Sequence, residues 1–255
     1  MSKVIAIVNQ KGGVGKSTTS MNLGAYLVVH GKKVLLIDMD PQANATTGFG
    51  FRPEKIENNV YKALSGKIFL KDAIIKTSLL GYDLIPATQD LAGATIELVE
   101  DTGREYKFYN AIKDVREQYD YVLIDCPPSL GLLTVNSLTA ADEIIVPIQC
   151  EYYALEGLSQ LLSSIDLIQK NLKEDLRLMG AVLTMYDKRN QLAHQVEKEV
   201  RRHFPGHVFD SIIPRNVALA EAPSFGKTIF QYAPESTGAK AYDYLAREVI
   251  ALESE

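Results

Sequence analysis

The sequence predicts an α/β fold, a mostly parallel sheet with helices on both faces. Three observations predict it. Short β-branched apolar runs alternate with longer stretches of helical length and spacing. Several of the short runs are apolar throughout, as strands are when both faces of their sheet are covered. A glycine-rich segment separates the first run from the first helical stretch.

Val4 to Val8 is the first expected strand, and the segment NQKGGVGKSTT, Asn9 to Thr19, follows it. Thr18 to His30 has helical length, and Lys33 to Ile37 reads as the second strand. Gly48 to Ser78 mixes a Gly-rich loop with short helical patterns and is expected over an edge of the sheet. Further strands are expected at Tyr82 to Ile85, Tyr121 to Ile124, Glu143 to Ile148, Gly180 to Thr184 and Val208 to Ile213. The remaining helices are expected at Arg104 to Tyr119, Ala154 to Leu172, Gln191 to Phe204 and Ala239 to Leu252. With no internal repeat, low-complexity tract or Pro/Gly-rich linker, the expected organisation is one domain over residues 1–255.

A chain of 255 residues, 46% hydrophobic and 23% charged, can bury one sizeable core. Its formal net charge of −5 argues against a protein whose whole field attracts nucleic acid, so any DNA contact must come from a local patch. No apolar run approaches the roughly 18 residues of a membrane span, and the first residues show neither a basic n-region nor a cleavage site, so no secretory signal is expected. A cytoplasmic location is expected. Cys126 and Cys150 lack C-x-x-C or metal-ligand spacing and read as buried reduced thiols.

The glycine-rich segment stands where a parallel sheet binds phosphate, between the first strand and the first helix. Glycines let backbone N–H groups turn toward an anion, and the helix adds the positive end of its dipole. In a P-loop the lysine before Ser/Thr reaches the β- and γ-phosphates and the hydroxyl binds Mg²⁺. Those residues are Lys16 and Ser17. The ordinary G-x-x-x-x-G-K-[ST] pattern would need glycine at Gln10, and the chain instead reads K-G-G-x-G-K-S. An empty Gly-rich turn explains this poorly, because strand, turn, lysine, hydroxyl and helix all agree.

Carboxylates follow later strands. VLLIDMDPQANATTG places Asp38 and Asp40 beyond the second, and YVLIDCPPSLG places Asp125 beyond the fourth. A rigid strand that delivers a carboxylate to the magnesium side of a nucleotide is what a Walker B element requires. Either aspartate alone could cap a turn. Pro127 to Gly131 would then form a stiff loop able to sense the γ-phosphate.

KGGVGKST resembles the deviant Walker A motif of the ParA/MinD class of ATPases. DMDPQANAT, IDCPPSLG, CEYYALEGL and IPRNVALAEAPSFGK, in that order over nearly the whole chain, resemble the chromosomal ParA proteins called Soj. The resemblance implies a P-loop NTPase that hydrolyses ATP slowly with Mg²⁺. It implies a cradle of Lys11, Gly12, Gly13, Val14, Gly15, Lys16, Ser17 and Thr18, with Lys16 serving its own ATP and Lys11 crossing to the nucleotide of a partner subunit. Asp40 resembles the residue that positions the attacking water. Asp38 would lie near the metal with Ser17 and Asp125, and Pro214 and Asn216 resemble residues at the nucleotide base. The implied partners are a second copy bound through ATP, nonspecific double-stranded DNA, and a ParB-type protein that stimulates hydrolysis. The ATP-bound form would then associate with the nucleoid. Because the phosphate loop begins almost at residue 1, the N-terminal DNA-reading domain of larger plasmid ParA proteins is not expected.

Basic residues for DNA gather late in the chain. Lys188 and Arg189 precede a helix, Lys198, Arg201 and Arg202 lie on it, and Arg215 and Lys227 follow. Leu192, Val196, Val200 and Phe204 form its expected buried stripe, leaving Lys198 and Arg202 exposed. Arg189 and Arg215 are the expected DNA contacts, with Lys198 and Arg202 in support. An ordinary solvated face, with Glu197 and Arg201 paired, is the plainer alternative. Ala218 stands where Soj proteins often carry an arginine used for DNA. Two other functions use the same loop. A MinD-like membrane organiser would need a basic terminal helix, and AYDYLAREVIALESE carries one basic residue, Arg247, against several acids. A metabolic P-loop enzyme such as an amidoligase would need an acceptor pocket.

Overall fold

The computed structural model describes residues 2–151 and 154–253. The chain opens with β1 (Lys3–Ile7), α1 (Lys16–Val29), β2 (Val34–Asp38), α2 (Asn44–Gly48) and α3 (Val60–Leu64). Next come β3 (Ile75–Lys76), β4 (Tyr82–Ile85), α4 (Leu91–Glu97), α5 (Lys107–Arg116) and β5 (Tyr121–Asp125). They are followed by α6 (Leu132–Ala140), β6 (Glu143–Gln149), α7 (Ala154–Asn171), β7 (Arg177–Tyr186) and α8 (Gln191–His203). β8 (Val208–Pro214), α9 (Val217–Glu221), α10 (Ile229–Tyr232) and α11 (Thr237–Leu252) complete the described chain.

Among the described residues, eight strands form one sheet in the order β3-β4-β2-β5-β1-β6-β7-β8. Every pairing is parallel except β3 with β4. β1 shows why its run is apolar throughout. Val4, Ala6 and Val8 enter one core with Phe108, Ile112 and Val115 of α5. Ile5 and Ile7 enter the other with Leu23 and Leu27 of α1 and Leu245 and Val249 of α11. Side chains alternate between faces at period two, so a sheet covered on both sides makes every position apolar.

The short helices α4, α9 and α10 were not expected, and three further features depart from the sequence reading. β3 is a two-residue antiparallel edge strand inside Gly48 to Ser78. The expected helix from Arg104 starts as a 3-10 turn, Arg104–Tyr106, before α5. α6 was not expected, because Thr134, Asn136, Ser137 and Thr139 interrupt its apolar pattern. All four are buried and hydrogen-bonded: Asn136 accepts from the Phe108 N–H at 3.0 Å and donates to the Arg104 carbonyl, and Thr139 donates to the Glu105 carbonyl. These bonds dock α6 on the 3-10 turn and satisfy groups that would otherwise be costly to bury.

α1 carries the phosphate loop at its head and is held firmly. The Tyr82 hydroxyl on β4 donates to the Ser20 carbonyl at 2.9 Å. A side chain at Gly24 would collide with that hydroxyl, so glycine inside this helix permits the close approach.

Candidate functional site

The loop after β1 begins with a local turn, in which the Asn9 side chain accepts from the Lys11 N–H at 2.9 Å and donates to the Pro147 carbonyl on β6 at 2.7 Å. Gly13 and Gly15 hold φ of 76° and 89°, the left-handed region that side chains disfavour. Gly15 is the N-terminal cap of α1, and no side chain caps that helix end. Nothing lies within 4 Å of where side chains would stand at Gly12, Gly13 or Gly15. The open side of the loop therefore presents unobstructed backbone and the positive helix end, which suits an anion.

A cleft of about 430 Å³ opens on this loop. Gly12, Gly13, Gly15, Lys16, Ser17 and Thr18 form one wall, and Asp40, Gln42 and Pro128 stand among the others. A narrower slot of about 180 Å³ meets it at Gly15, Thr18 and Met185 and runs on to Pro214, Arg215 and Asn216. Asn216 is also committed structurally: its side chain accepts from the Leu219 N–H and donates to Thr237. Sequence reasoning missed Met185, which joins the two openings with a φ of 50°, and no sequence signal marks it.

Lys16 is buried, and its Nζ donates to the Lys11 carbonyl at 3.3 Å. Burial lowers its pKa, opposed chiefly by the attraction of Asp125. Asp38 and Asp125 are register partners on β2 and β5, both wholly buried. Burial is the main cause that raises both carboxyls above the ordinary range. Asp38 raises Asp125 further, while Ser17, Lys16 and Ser20 act against the shift.

The two aspartates are engaged differently. Asp38 Oδ1 accepts from the Asp40 N–H at 3.1 Å, and Oδ2 accepts from the Thr46 N–H at 2.8 Å and the Thr46 hydroxyl at 2.7 Å. Asp125 Oδ1 accepts from the Ser20 hydroxyl at 3.1 Å, whereas its Oδ2 is buried without a partner. An orphaned carboxylate oxygen beside Ser17 and Lys16 fits a cation or a water held by one. Among the described residues no cluster of three or more His, Cys, Asp or Glu forms a metal cage, so a cation here would draw its remaining oxygens from phosphate and water. Asp40 Oδ1 accepts from the Gln42 N–H at 2.9 Å and faces the cleft.

Lys11 is not part of the cleft wall. Its Nζ lies 3.5 Å from Glu151 Oε2, and Glu151 Oε1 lies 3.5 Å from Arg215. Val14 is buried under the loop, where its carbonyl accepts from the Thr184 hydroxyl. The remaining expected DNA contacts lie away from the cleft. Arg189 is 85% exposed and doubly hydrogen-bonded to Asp187, and Lys198 and Arg202 are exposed on α8. Glu197 and Arg201 do pair, at 3.2 Å. Of the apolar stripe, Val196, Val200 and Phe204 are buried, Leu192 is half-buried, and Ala193 joins them. No helix among the described residues is long and apolar enough to cross a membrane.

A family model described as an AAA domain matches residues 2–178. The chain is 54% identical over 251 residues to the sporulation initiation inhibitor protein Soj of Bacillus subtilis (strain 168), covering 98% of this chain and 99% of that protein. It is 51% identical over 253 residues to the chromosome partitioning protein ParA of Caulobacter vibrioides, covering 98% and 95%. Among solved structures, it resembles the cobyrinic acid a,c-diamide synthase from Mycobacterium smegmatis with bound ADP and magnesium. The TM-score is 0.89 at 38% identity, over 100% of this chain and 96% of that one.

Proposed function

The chain belongs to the ParA/Soj family of chromosome-partitioning ATPases, and from that premise we propose that it is an ATP-dependent dimerisation switch. In this reading it binds DNA without sequence preference and segregates chromosome or plasmid DNA with a ParB-type partner. The observation that carries the reading is the division of labour between two lysines of one loop. Lys16 lies in the cleft wall, and Lys11 lies outside it, on Glu151.

ATP would lie with its phosphates over Gly12 to Thr18 and its base toward Pro214 and Asn216. Lys16 would exchange the Lys11 carbonyl for β- and γ-phosphate oxygens. Ser17 would hold Mg²⁺ with the free oxygen of Asp125, and Asp38, whose oxygens are taken by Thr46 and the Asp40 N–H, would stand behind that carboxylate near the metal. The ion, when bound, neutralises charge that develops on the phosphates. Asp40 would orient the attacking water, its own position fixed by the Gln42 N–H. Lys11 would complete the site of a partner subunit, acting on developing negative charge as an arginine finger does. Two copies would then bring two sets of Arg189, Lys198, Arg202 and Arg215 to one surface, and phosphate binding strengthens steeply with the number of contacts. The ATP-bound form would thus reside on the nucleoid.

A second reading, an amidoligase, has the likeness to the M. smegmatis synthase in its favour. The partitioning relatives, at 54% and 51% identity over nearly the whole chain, support the switch more strongly.

The test is molar mass by light scattering with ADP, ATP and a slowly hydrolysed ATP analogue, with and without DNA. A monomer with ADP, a dimer with the analogue and DNA retention only in the dimer are expected. The same mass in every nucleotide would sink the switch.

A further inference from the structure

The turn after β6 carries a carboxylate that the ATP reading leaves unused. The Glu151 N–H donates to the Gln149 carbonyl at 2.8 Å, and the Gln149 amide donates to Glu151 Oε1 at 2.5 Å, so the chain folds back on itself and steadies this side chain. Its two oxygens meet cations from two other strand ends. Lys11 Nζ, from the loop after β1, stands 3.5 Å from Oε2, and the Arg215 guanidinium, just beyond β8, stands 3.5 Å from Oε1. Arg215 is anchored by its own N–H, which donates to the Tyr186 carbonyl at 3.0 Å. All three side chains are at least 40% exposed, so each pair is open to exchange with an outside anion.

We propose that Glu151 is a positioning residue that restrains both cations at once, Lys11 from a partner's nucleotide and Arg215 from DNA. It thereby sets how readily the switch closes and how tightly the closed form holds DNA. This proposal rests on the roles of Lys11 and Arg215 in the switch. A stray surface pair would occupy one cation, whereas this carboxylate serves two, each with its work on phosphate elsewhere. Exposed ion pairs contribute little, and a nucleotide or a DNA backbone concentrates more negative charge than one carboxylate, so both restraints yield when those anions arrive.

The two restraints are linked. Like charges repel, so Lys11 and Arg215 each loosen the other's hold on the carboxylate they share. Once Lys11 crosses to a partner, Glu151 faces Arg215 alone and holds it more tightly. Linkage runs both ways: Arg215 drawn onto DNA leaves Lys11 more firmly held. Glu151 therefore opposes the build-up of DNA-bound dimers, which is the action of a brake.

The test uses the whole protein, a slowly hydrolysed ATP analogue and a fluorescent DNA duplex of mixed sequence. Glu151→Gln removes the charge and keeps the shape. By light scattering it should dimerise with the analogue at no more than about one third of the wild-type protein concentration, and by anisotropy its dimer should bind DNA at least about threefold more tightly, because both subunits contribute. Glu151→Asp, which keeps the charge, should stay within about twofold of the wild type in both measurements. Glu199→Gln makes the same charge change beside Lys198 on α8 and should alter DNA affinity by less than about twofold. With Arg215→Ala already present, Glu151→Gln should add less than about 1.5-fold to DNA affinity and still ease dimerisation. Wild-type behaviour of Glu151→Gln in both measurements overturns the proposal, and a gain in one alone overturns the double role. A gain as large in Glu199→Gln, or one that persists without Arg215, reduces the effect to net charge and overturns it too. Because Glu151 is exposed, circular dichroism of its variants should match the wild type. A wild type that stays monomeric with the analogue defeats the switch and this inference with it, whereas a wild type that dimerises and retains DNA no differently from Glu151→Gln defeats the brake alone.

Discussion

Asp38 and Asp125 are register partners on adjacent parallel strands, and only Asp125 has an oxygen to spare. Asp38→Ala removes the acceptor for the buried Thr46 and Asp40 N–H groups and should cost about 1–3 kcal/mol of stability in urea unfolding. Asp125→Asn relieves a buried carboxylate and should not lower that stability. It should instead weaken magnesium-dependent nucleotide binding by at least about tenfold in calorimetry.

The two lysines should separate cleanly. Lys16→Ala deletes the cation inside the cleft and should abolish measurable ATP binding. Lys11→Ala should bind ATP and remain monomeric with the slowly hydrolysed analogue. A normal dimer from Lys11→Ala, seen by light scattering, would contradict its role across the interface.

Asp40→Ala should retain ATP, lose turnover and accumulate as a nucleotide-bound dimer. Phosphate release and molar mass measured on one sample decide this. Hydrolysis at the wild-type rate removes Asp40 from the water-positioning role.

DNA affinity should require ATP, ignore base sequence and fall with salt. Arg189 and Arg215 each face an acidic neighbour, Asp187 and Glu151, in exposed pairs of the kind that contribute little and can be exchanged for phosphate. Arg189→Glu with Arg215→Glu should end DNA retention while ATP-driven dimers persist. Unchanged affinity and salt slope would place the patch elsewhere.

Burial pushes the Cys150 thiol up to about 12. At pH 8 roughly one molecule in ten thousand carries the thiolate, so iodoacetamide should label Cys150 only after unfolding. The sign for stability follows from the neutral form being favoured in the fold. The contribution is intact below the ordinary thiol value and is lost as pH rises from there toward 12. Rapid labelling of the native protein at pH 8 would show that this end of β6 opens.

The loop from Asn9 to Thr19 was legible because its residue types answer to local rules: an apolar strand before it, positive-φ glycines within it and a helix after it. The engagement of Asp38 was not, since a carboxylate after four apolar residues looks alike whether it faces a metal or holds Thr46 eight positions later. Met185 lies still further from view, because its place between the two openings comes with an unusual backbone conformation that no residue type announces. The docking of α6 through Asn136 was hidden for a related reason, because polar side chains that serve distant backbone groups break the periodicity by which helices are read.

Lys16 Nζ donates to the carbonyl of Lys11, so the two lysines of the loop are joined to one another. A phosphate that takes Lys16 would displace that carbonyl. In the proposed switch, a subunit that fills its own cleft would take Lys16 off the Lys11 carbonyl, and the Lys11 side chain would exchange Glu151 for a neighbour's phosphates. Pairs of one loaded and one empty subunit should then be scarce in mixed populations, and assembly should track the square of the concentration of loaded chain.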